Sequence, residues 1–171
     1  MATSVQKNLS ESNEKYVSTF DKGHLALPPS KKYLVLTCMD ARIDPAAAFG
    51  IDLGDAHVIR NAGANAADAF RSIVISEQLL GTQEILLIKH TGCGMLTFEN
   101  SDAYAIVEKN LGPEAHSELK QRQIDFGPFP QLDKAVEDDV ALLKGSKLVP
   151  DSVAISGWVY EVETGRVRKV V

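Results

Sequence analysis

The sequence predicts an α/β fold in which a mostly parallel central sheet is flanked by helices. Three observations lead to this prediction. Short apolar runs rich in β-formers occur at residues 33–39, 57–61 and 84–89, as in strands buried inside a parallel sheet. Helix-like segments alternate with such runs, which is typical of parallel sheets with helical crossovers. With 171 residues, of which 44% are hydrophobic, the chain is large enough to form one domain with a real core.

The N-terminal region differs from the rest of the chain. Residues 10–22 are polar with a sparse apolar stripe, which predicts a helix, and two consecutive prolines then interrupt the chain. A helix with so little apolar surface is not stable alone and needs a neighbour to pack against. We therefore expect a helical arm over residues 1–30, packed on a partner chain, and a single α/β domain over residues 31–171.

The remaining elements follow from periodicity and from stop signals. Residues 66–80 read as a helix with an apolar face, and Gly81 is a typical stop. Residues 131–143 form a clear amphipathic pattern. Near the C-terminus, two β-like runs at 153–162 and 166–170 flank the tripeptide Glu-Thr-Gly, which predicts a hairpin.

Composition excludes several classes of function. The net charge is −5 and the basic residues are scattered, whereas a nucleic-acid binder needs clustered Lys and Arg, so we expect no nucleic-acid partner. No apolar run approaches the ~20 residues that span a bilayer, so we expect no membrane partner either. The polar first ten residues lack the apolar core of a secretory signal. We therefore expect a cytoplasmic protein, in a compartment where thiols stay reduced.

Two short motifs carry the residue types of a metal site. Cys38 ends the first predicted strand and opens the segment Cys-Met-Asp-Ala-Arg, and His90 follows the third strand and opens His-Thr-Gly-Cys-Gly. The carboxyl ends of parallel strands meet at one edge of a sheet, where ligands bind. Zinc favours thiolate and imidazole, and a catalytic zinc site uses three protein ligands and leaves a fourth position for water. Cys38, His90 and Cys93 meet this requirement, with Asp40 and Arg42 beside them.

The same residues could instead form a surface ion pair or a redox disulfide. Asp40 and Arg42 in isolation would more often be a surface ion pair, but their position between two cysteines at one sheet edge favours a functional role. Cys38 and Cys93 could form a redox disulfide, yet no CxxC motif is present and His90 would then have no role. Such a disulfide-switched interaction module would hold no tightly bound metal.

Together these segments resemble the β-class carbonic anhydrase family. The likeness is densest over residues 33–95, including GDAHVIRNAG at 54–63 and SEQLLGTQEILLIKHTGCGM at 76–95, and it continues through ISGWVYEVETG at 155–165. In length the chain resembles the short microbial subgroup, which also includes carbonyl sulfide hydrolases. The resemblance implies Zn²⁺ as cofactor, held by the two cysteines and the histidine. It also implies a homodimer or a higher even oligomer whose sheets join and whose active sites lie at the interface.

The resemblance also implies that Asp40 and Arg42 form a catalytic dyad. Zinc lowers the pKa of its bound water and so creates a hydroxide nucleophile near neutral pH. Asp40 is placed to accept the proton of that hydroxide and to orient its lone pair. Left alone, Asp40 could instead bind the metal and close the site. Arg42 offers a planar pair of donors that can hold the carboxylate away from the metal.

Two substrates fit the zinc-hydroxide chemistry. Carbon dioxide would give bicarbonate, and carbonyl sulfide would give hydrogen sulfide and carbon dioxide. We expect the pocket for such a small linear molecule near Ala41, Ala64, Ala66 and Gly92. The resemblance is imperfect at two places. Residues 63–65 depart from the usual family segment, and many family members carry aspartate at the position of Gly92. Both departures leave the choice of substrate open. The alternative is a catalytically closed domain in which zinc has only a structural role.

Overall fold

The computed structural model describes residues 2–171, and its centre is the predicted sheet. Five strands lie in the order β2-β1-β3-β4-β5. They are β1 (Tyr33–Cys38), β2 (Ala56–Asn61), β3 (Glu84–His90), β4 (Ala154–Tyr160) and β5 (Val167–Lys169). The first four strands are parallel, and β5 runs antiparallel to β4 as the second arm of the predicted hairpin. The predicted α/β class with a mostly parallel sheet is confirmed.

Helices flank this sheet, and two of them supply the main core. Over residues 2–171 they are α1 (Ser4–Val17), α2 (Pro45–Phe49), α3 (Ala66–Gln78), α4 (Asn100–Leu111), α5 (Pro113–Gln121) and α6 (Leu132–Gly145). The predicted helices at 66–80 and 131–143 correspond to α3 and α6. Their apolar faces pack on the sheet, and the resulting cluster includes Leu36, Ile73, Leu87 and Val140. Burial of such side chains contributes roughly 1.5–3 kcal/mol each.

Three helices were not predicted. α4 and α5 contain no buried residue, so their sequences carry only a weak apolar stripe for a periodicity argument to detect. α2 is short, and its start is set by the Asp44 side chain, which accepts hydrogen bonds from the backbone N–H groups of Ala46 and Ala47.

The N-terminal helix exists, but it lies earlier in the chain than residues 10–22. Its start is fixed by a capping box, in which the Thr3 hydroxyl accepts from the N–H of Gln6 while the Gln6 side chain accepts from the N–H of Thr3. None of residues 4–17 is buried, so α1 contributes nothing to the core of this chain. Among residues 2–171, no helix has both the length and the apolar character needed to cross a bilayer.

Candidate metal centre

The sheet delivers the three candidate ligands to one point. Cys38 is the last residue of β1 and His90 the last residue of β3, and these strands are parallel neighbours. Their carboxyl ends therefore open at the same edge. Cys93 follows in the loop just before a 3₁₀ turn, Gly94–Leu96. One ligand atom from each residue lies within 4.8 Å of the other two, and all three side chains are buried.

The ring of His90 is already in the form that a metal needs. Its Nδ1 lies 2.8 Å from the carbonyl oxygen of Thr91, which can only accept, so Nδ1 carries the proton and donates. Its Nε2 is buried and has no hydrogen-bond partner among the described residues. A buried polar atom without a partner is unusual and needs an explanation. A cation bound at Nε2 supplies one, since a hydrogen bond from the other ring nitrogen is the usual way to orient a histidine ligand.

The two cysteines are coupled through their thiols. A hydrogen bond with Cys93 lowers the pKa of Cys38, and the neighbouring His90 ring and the hydrogen bond from the Gly63 N–H act in the same direction. The same contact, together with burial, raises the pKa of Cys93. Without a cation, therefore, one proton stays on the pair. Two thiolates and one imidazole form the soft and borderline donor set that suits zinc, so the residues fit this metal, and binding it releases the remaining proton.

A turn at Gly63 brings a backbone N–H against the sulfur of Cys38. The Gly63 N–H donates to the Cys38 sulfur at 3.3 Å. Gly63 has a positive φ of 72°, and a Cβ at this position would lie 2.7 Å from Cγ of Met95. Only glycine therefore allows this approach. Gly63 could not be identified as a site residue from the sequence, because a backbone N–H leaves no signal in side-chain chemistry.

Asp40 and Arg42 form the expected pair. The Arg42 Nε and Nη2 atoms donate to the two carboxylate oxygens of Asp40 at 2.9 and 2.8 Å, and the Arg42 backbone N–H donates to Oδ1 at 2.9 Å. These hydrogen bonds hold the pKa of Asp40 far below its usual range. Asp40 Oδ2 lies 3.8 Å from His90 Nε2, so the carboxylate stands beside the ligand cluster. Arg42 Nη2 also donates to the carbonyl of Gly92 at 2.9 Å.

A second arginine holds the backbone that carries the dyad. Arg60, near the end of β2, donates from Nε to the Cys38 carbonyl at 3.0 Å and from Nη2 to the Asp40 carbonyl at 2.7 Å. Asn61 instead closes the following turn. Its side-chain amide nitrogen donates to the Asn65 carbonyl, and its side-chain oxygen accepts from the Asn65 N–H. Arg60 and Asn61 therefore act as network-holding and turn-forming residues.

A cavity of about 350 Å³ opens on the ligand cluster. It is lined by the two cysteines and the residues that flank them: Met39, Asp40, Ala41, Ala62, Gly63, Gly94 and Met95. Of the four residues expected near the substrate, Ala41 lines this cavity. Ala64 and Ala66 are fully buried in the main core and are not among its lining residues. Gly92 lies against the guanidinium of Arg42 instead.

Comparison with known proteins agrees with this geometry. The family model described as carbonic anhydrase matches residues 33–167. The protein named beta-carbonic anhydrase 1 from Mycobacterium tuberculosis is 37% identical, over 92% of this chain and 93% of that protein. A carbon disulfide hydrolase from Saccharolobus solfataricus is also 37% identical, over 84% of this chain and 79% of that protein.

The solved structures give the same assignment. The carbonic anhydrase from Glaciozyma antarctica superposes with a TM-score of 0.94 at 43% identity, covering 99% of this chain and 100% of that one. A family model that spans most of the chain, relatives of this identity and a near-complete structural match all indicate the same family. The chain belongs to the β-class carbonic anhydrase family.

Proposed function

We propose that this protein is a zinc enzyme that adds water to a small linear substrate, with carbon dioxide hydration as the leading reaction. One observation carries the proposal: the partnerless Nε2 of His90 and two cysteine sulfurs converge beside a carboxylate that an arginine holds in place. When bound there by Cys38, His90 and Cys93, zinc would acidify a water molecule so that it can act as a nucleophile near neutral pH.

The residues of the chain supply orientation and a fixed charge. Asp40 stays ionised at every physiological pH because its pKa is lowered by Arg42, so it can always accept a hydrogen bond from the attacking water. Arg42 uses two donors for that carboxylate, and this bidentate contact fixes the plane of the carboxylate. Ala41 and Met39 line the cavity and exclude part of the solvent around the reacting carbon.

Sulfur-containing substrates are the second candidate. Carbonyl sulfide, like carbon dioxide, presents an electrophilic carbon between two double bonds, and one relative is named carbon disulfide hydrolase. An apolar cavity discriminates a difference of one atom by only ~1–3 kcal/mol, so activity on more than one of these molecules is expected. The cavity lining at Ala41, Ala62 and Gly63 is made of small residues and leaves room for a sulfur atom.

The deciding experiment measures zinc content first and then three activities side by side. The purified protein is assayed for carbon dioxide hydration and for sulfide release from carbonyl sulfide and carbon disulfide, with the Asp40→Asn variant as a matched control. We expect one zinc per chain and hydration of carbon dioxide that the control lacks. Zinc-loaded protein without activity on any of the three would support the closed structural domain instead.

That closed domain is the competing interpretation. Asp40 Oδ2 is only 3.8 Å from His90 Nε2, so a modest rotation would bring it within reach of the metal. Arg42 opposes this movement through its two hydrogen bonds. Since the carboxylate competes with hydroxide for the fourth position, a closed site should open as pH rises. Activity that appears only at alkaline pH would therefore favour a gated enzyme over a purely structural zinc.

We also propose a homodimer or a higher even oligomer in the cytoplasm. The support for assembly is α1, whose apolar side chains Val5, Leu9 and Tyr16 are all exposed in the single protomer. An apolar stripe of this kind, on a helix none of whose residues is buried, marks an interaction surface. The support for a cytoplasmic location is chemical, because both thiols must stay reduced to hold the metal.

A further inference from the structure

The turn between β4 and β5 carries a carboxylate that reaches the metal centre. Glu163 Oε2 accepts a hydrogen bond from the Thr91 hydroxyl at 2.7 Å. The Thr91 oxygen in turn accepts from the backbone N–H of Val162 at 3.0 Å. Thr91 is the residue whose carbonyl receives the Nδ1–H of His90. The turn therefore clamps the segment that orients a metal ligand.

The other oxygen of Glu163 faces Arg42 across a glycine. A Cβ built on Gly92 would lie 3.9 Å from Glu163 Oε1, and 3.8 and 3.9 Å from Nη1 and Nη2 of Arg42. A carboxylate and a guanidinium thus both lie within 4 Å of the same position beside Gly92, without a direct ion pair between them. The negative charge of Glu163 adds to that of Asp40 in raising the pKa of Arg42.

The β4–β5 turn does not need this side chain for its own closure. The Gly165 N–H and the Glu161 N–H make backbone hydrogen bonds across it, to the carbonyls of Glu161 and Arg166, both at 2.8 Å. The Thr164 hydroxyl adds a third bond, to the Glu161 carboxylate at 2.8 Å. Glu163 is thus free to bond outside the turn, and its described partner is Thr91.

Arg42 is bonded to Asp40 and to the Gly92 carbonyl, yet much of its side chain faces solvent. Its side chain is 55% exposed, and an exposed arginine changes conformation readily. We propose that Glu163 is a positioning residue of the metal centre: its charge holds Arg42 across Gly92 while its hydrogen bond holds Thr91. This inference rests on the proposed function, because Arg42 matters to catalysis only if it keeps Asp40 in place.

The test compares three single variants in the zinc-loaded protein. Glu163→Ala removes both the charge and the hydrogen bond, Glu163→Gln keeps an acceptor for Thr91, and Glu161→Gln is the control on the same turn. We expect all three to keep the zinc content of the parent. We expect kcat to fall about fivefold in Glu163→Ala and less in Glu163→Gln, with KM changed less than about twofold, the scale of one solvent-exposed charge interaction. The control should match the parent.

Moving the carboxylate supplies a second, independent readout. Gly92 has a φ of 59°, a conformation that aspartate and asparagine tolerate better than most residues. In the Glu163→Ala background, Gly92→Asp should place a carboxylate on Arg42 and recover kcat, whereas Gly92→Asn should not. Equal kcat in the two double variants, or an unchanged kcat in Glu163→Ala, would overturn the positioning role.

Crystal structures separate this proposal from the proposed function. In Glu163→Ala, the hydrogen bond from Arg42 Nη2 to the Gly92 carbonyl should lengthen beyond hydrogen-bond range, or the guanidinium should occupy more than one conformer. This readout needs no substrate. A parent protein without activity would refute the proposed function, and an Arg42 that is unmoved in the variant would refute the role of Glu163.

Discussion

The ammonium group of Lys89 lies 2.8 Å from the carboxylate of Asp139, and the lysine side chain is only 3% exposed. The same Nζ donates to the carbonyls of Gly63 and Ala64, at 2.8 and 3.2 Å, and sits 4.7 Å from the centre of the Phe129 ring. Lys89 thus satisfies its three protons and fixes the turn whose N–H binds the Cys38 sulfur. A buried ion pair of this kind ties the metal centre to α6.

Replacing Lys89 with methionine should lower the free energy of unfolding by about 3–5 kcal/mol, because Asp139 and two carbonyls lose their partner. Urea unfolding at fixed zinc and protein concentration measures the change. Lys144→Met on the exposed side of α6 is the control and should stay within about 0.5 kcal/mol. Adding Asp139→Leu to Lys89→Met should recover part of the loss, and a purely additive double variant would contradict the coupling.

Removing any one candidate ligand should abolish tight metal binding. Cys38→Ser, His90→Ala and Cys93→Ser each leave two of three anchors, and structural or catalytic zinc sites do not persist on two. Zinc per chain is measured after dialysis against a chelator, and all three variants are compared directly with the parent. Full zinc content in any two of the three variants would refute the ligand assignment.

Substitution of Asp40 or Arg42 should lower the activity without loss of zinc. Asp40→Asn should keep the parent zinc content and lose about a hundredfold or more in kcat, since the amide cannot accept the proton in the same way. Arg42→Ala should lose up to about a hundredfold as Asp40 moves towards the metal. A crystal structure of Arg42→Ala with Asp40 in its original position and normal turnover would contradict the gating role of Arg42.

Sequence reasoning was most successful where chemistry and periodicity agree. β1 and β3 are largely apolar runs that end in Cys38 and His90, so both the strands and the meeting of their ends could be predicted. The burial of Ala64 in the core could not, because it goes with a φ of 52° and with a hydrogen bond from the distant Lys89, and the local sequence indicates neither. The contact between Glu163 and Thr91 could not be predicted either, since 72 residues separate them and nothing in their two motifs indicates that they meet.

We expect the oligomeric state to depend on one apolar stripe of the N-terminal helix α1. Val5, Leu9 and Tyr16 recur at helical spacing and are 75%, 68% and 49% exposed. Replacing all three with serine should lower the oligomeric state measured by light scattering at micromolar concentration, because apolar contacts drive such packing. The matched control replaces Lys7, Glu11 and Glu14, on another face of the same helix. An intact oligomer in the apolar variant would show that α1 is not part of the interface.

The buried carboxyl group of Glu77 should make the free energy of unfolding depend on pH. This residue lies on α3 and is 7% exposed, and both of its carboxylate oxygens are buried without a hydrogen-bond partner among the described residues. Burial raises its pKa from an ordinary value of 4.5 to about 7. Between these values the unfolded chain has released the proton while the folded protein still holds it. Stability therefore falls as pH rises through this window, by about 3 kcal/mol in total at 1.36 kcal/mol per pKa unit, and stays level above it.

The variant Glu77→Gln isolates this contribution, because the amide has a similar shape and does not ionise. Other acidic groups also titrate below pH 5, so the informative quantity is the difference between variant and parent. Both proteins are unfolded with urea at pH 5 and pH 8, at the same zinc and protein concentrations. The variant should gain on the parent by roughly 2–3 kcal/mol between the two conditions. A constant difference at both pH values would mean that Glu77 ionises normally in the folded protein.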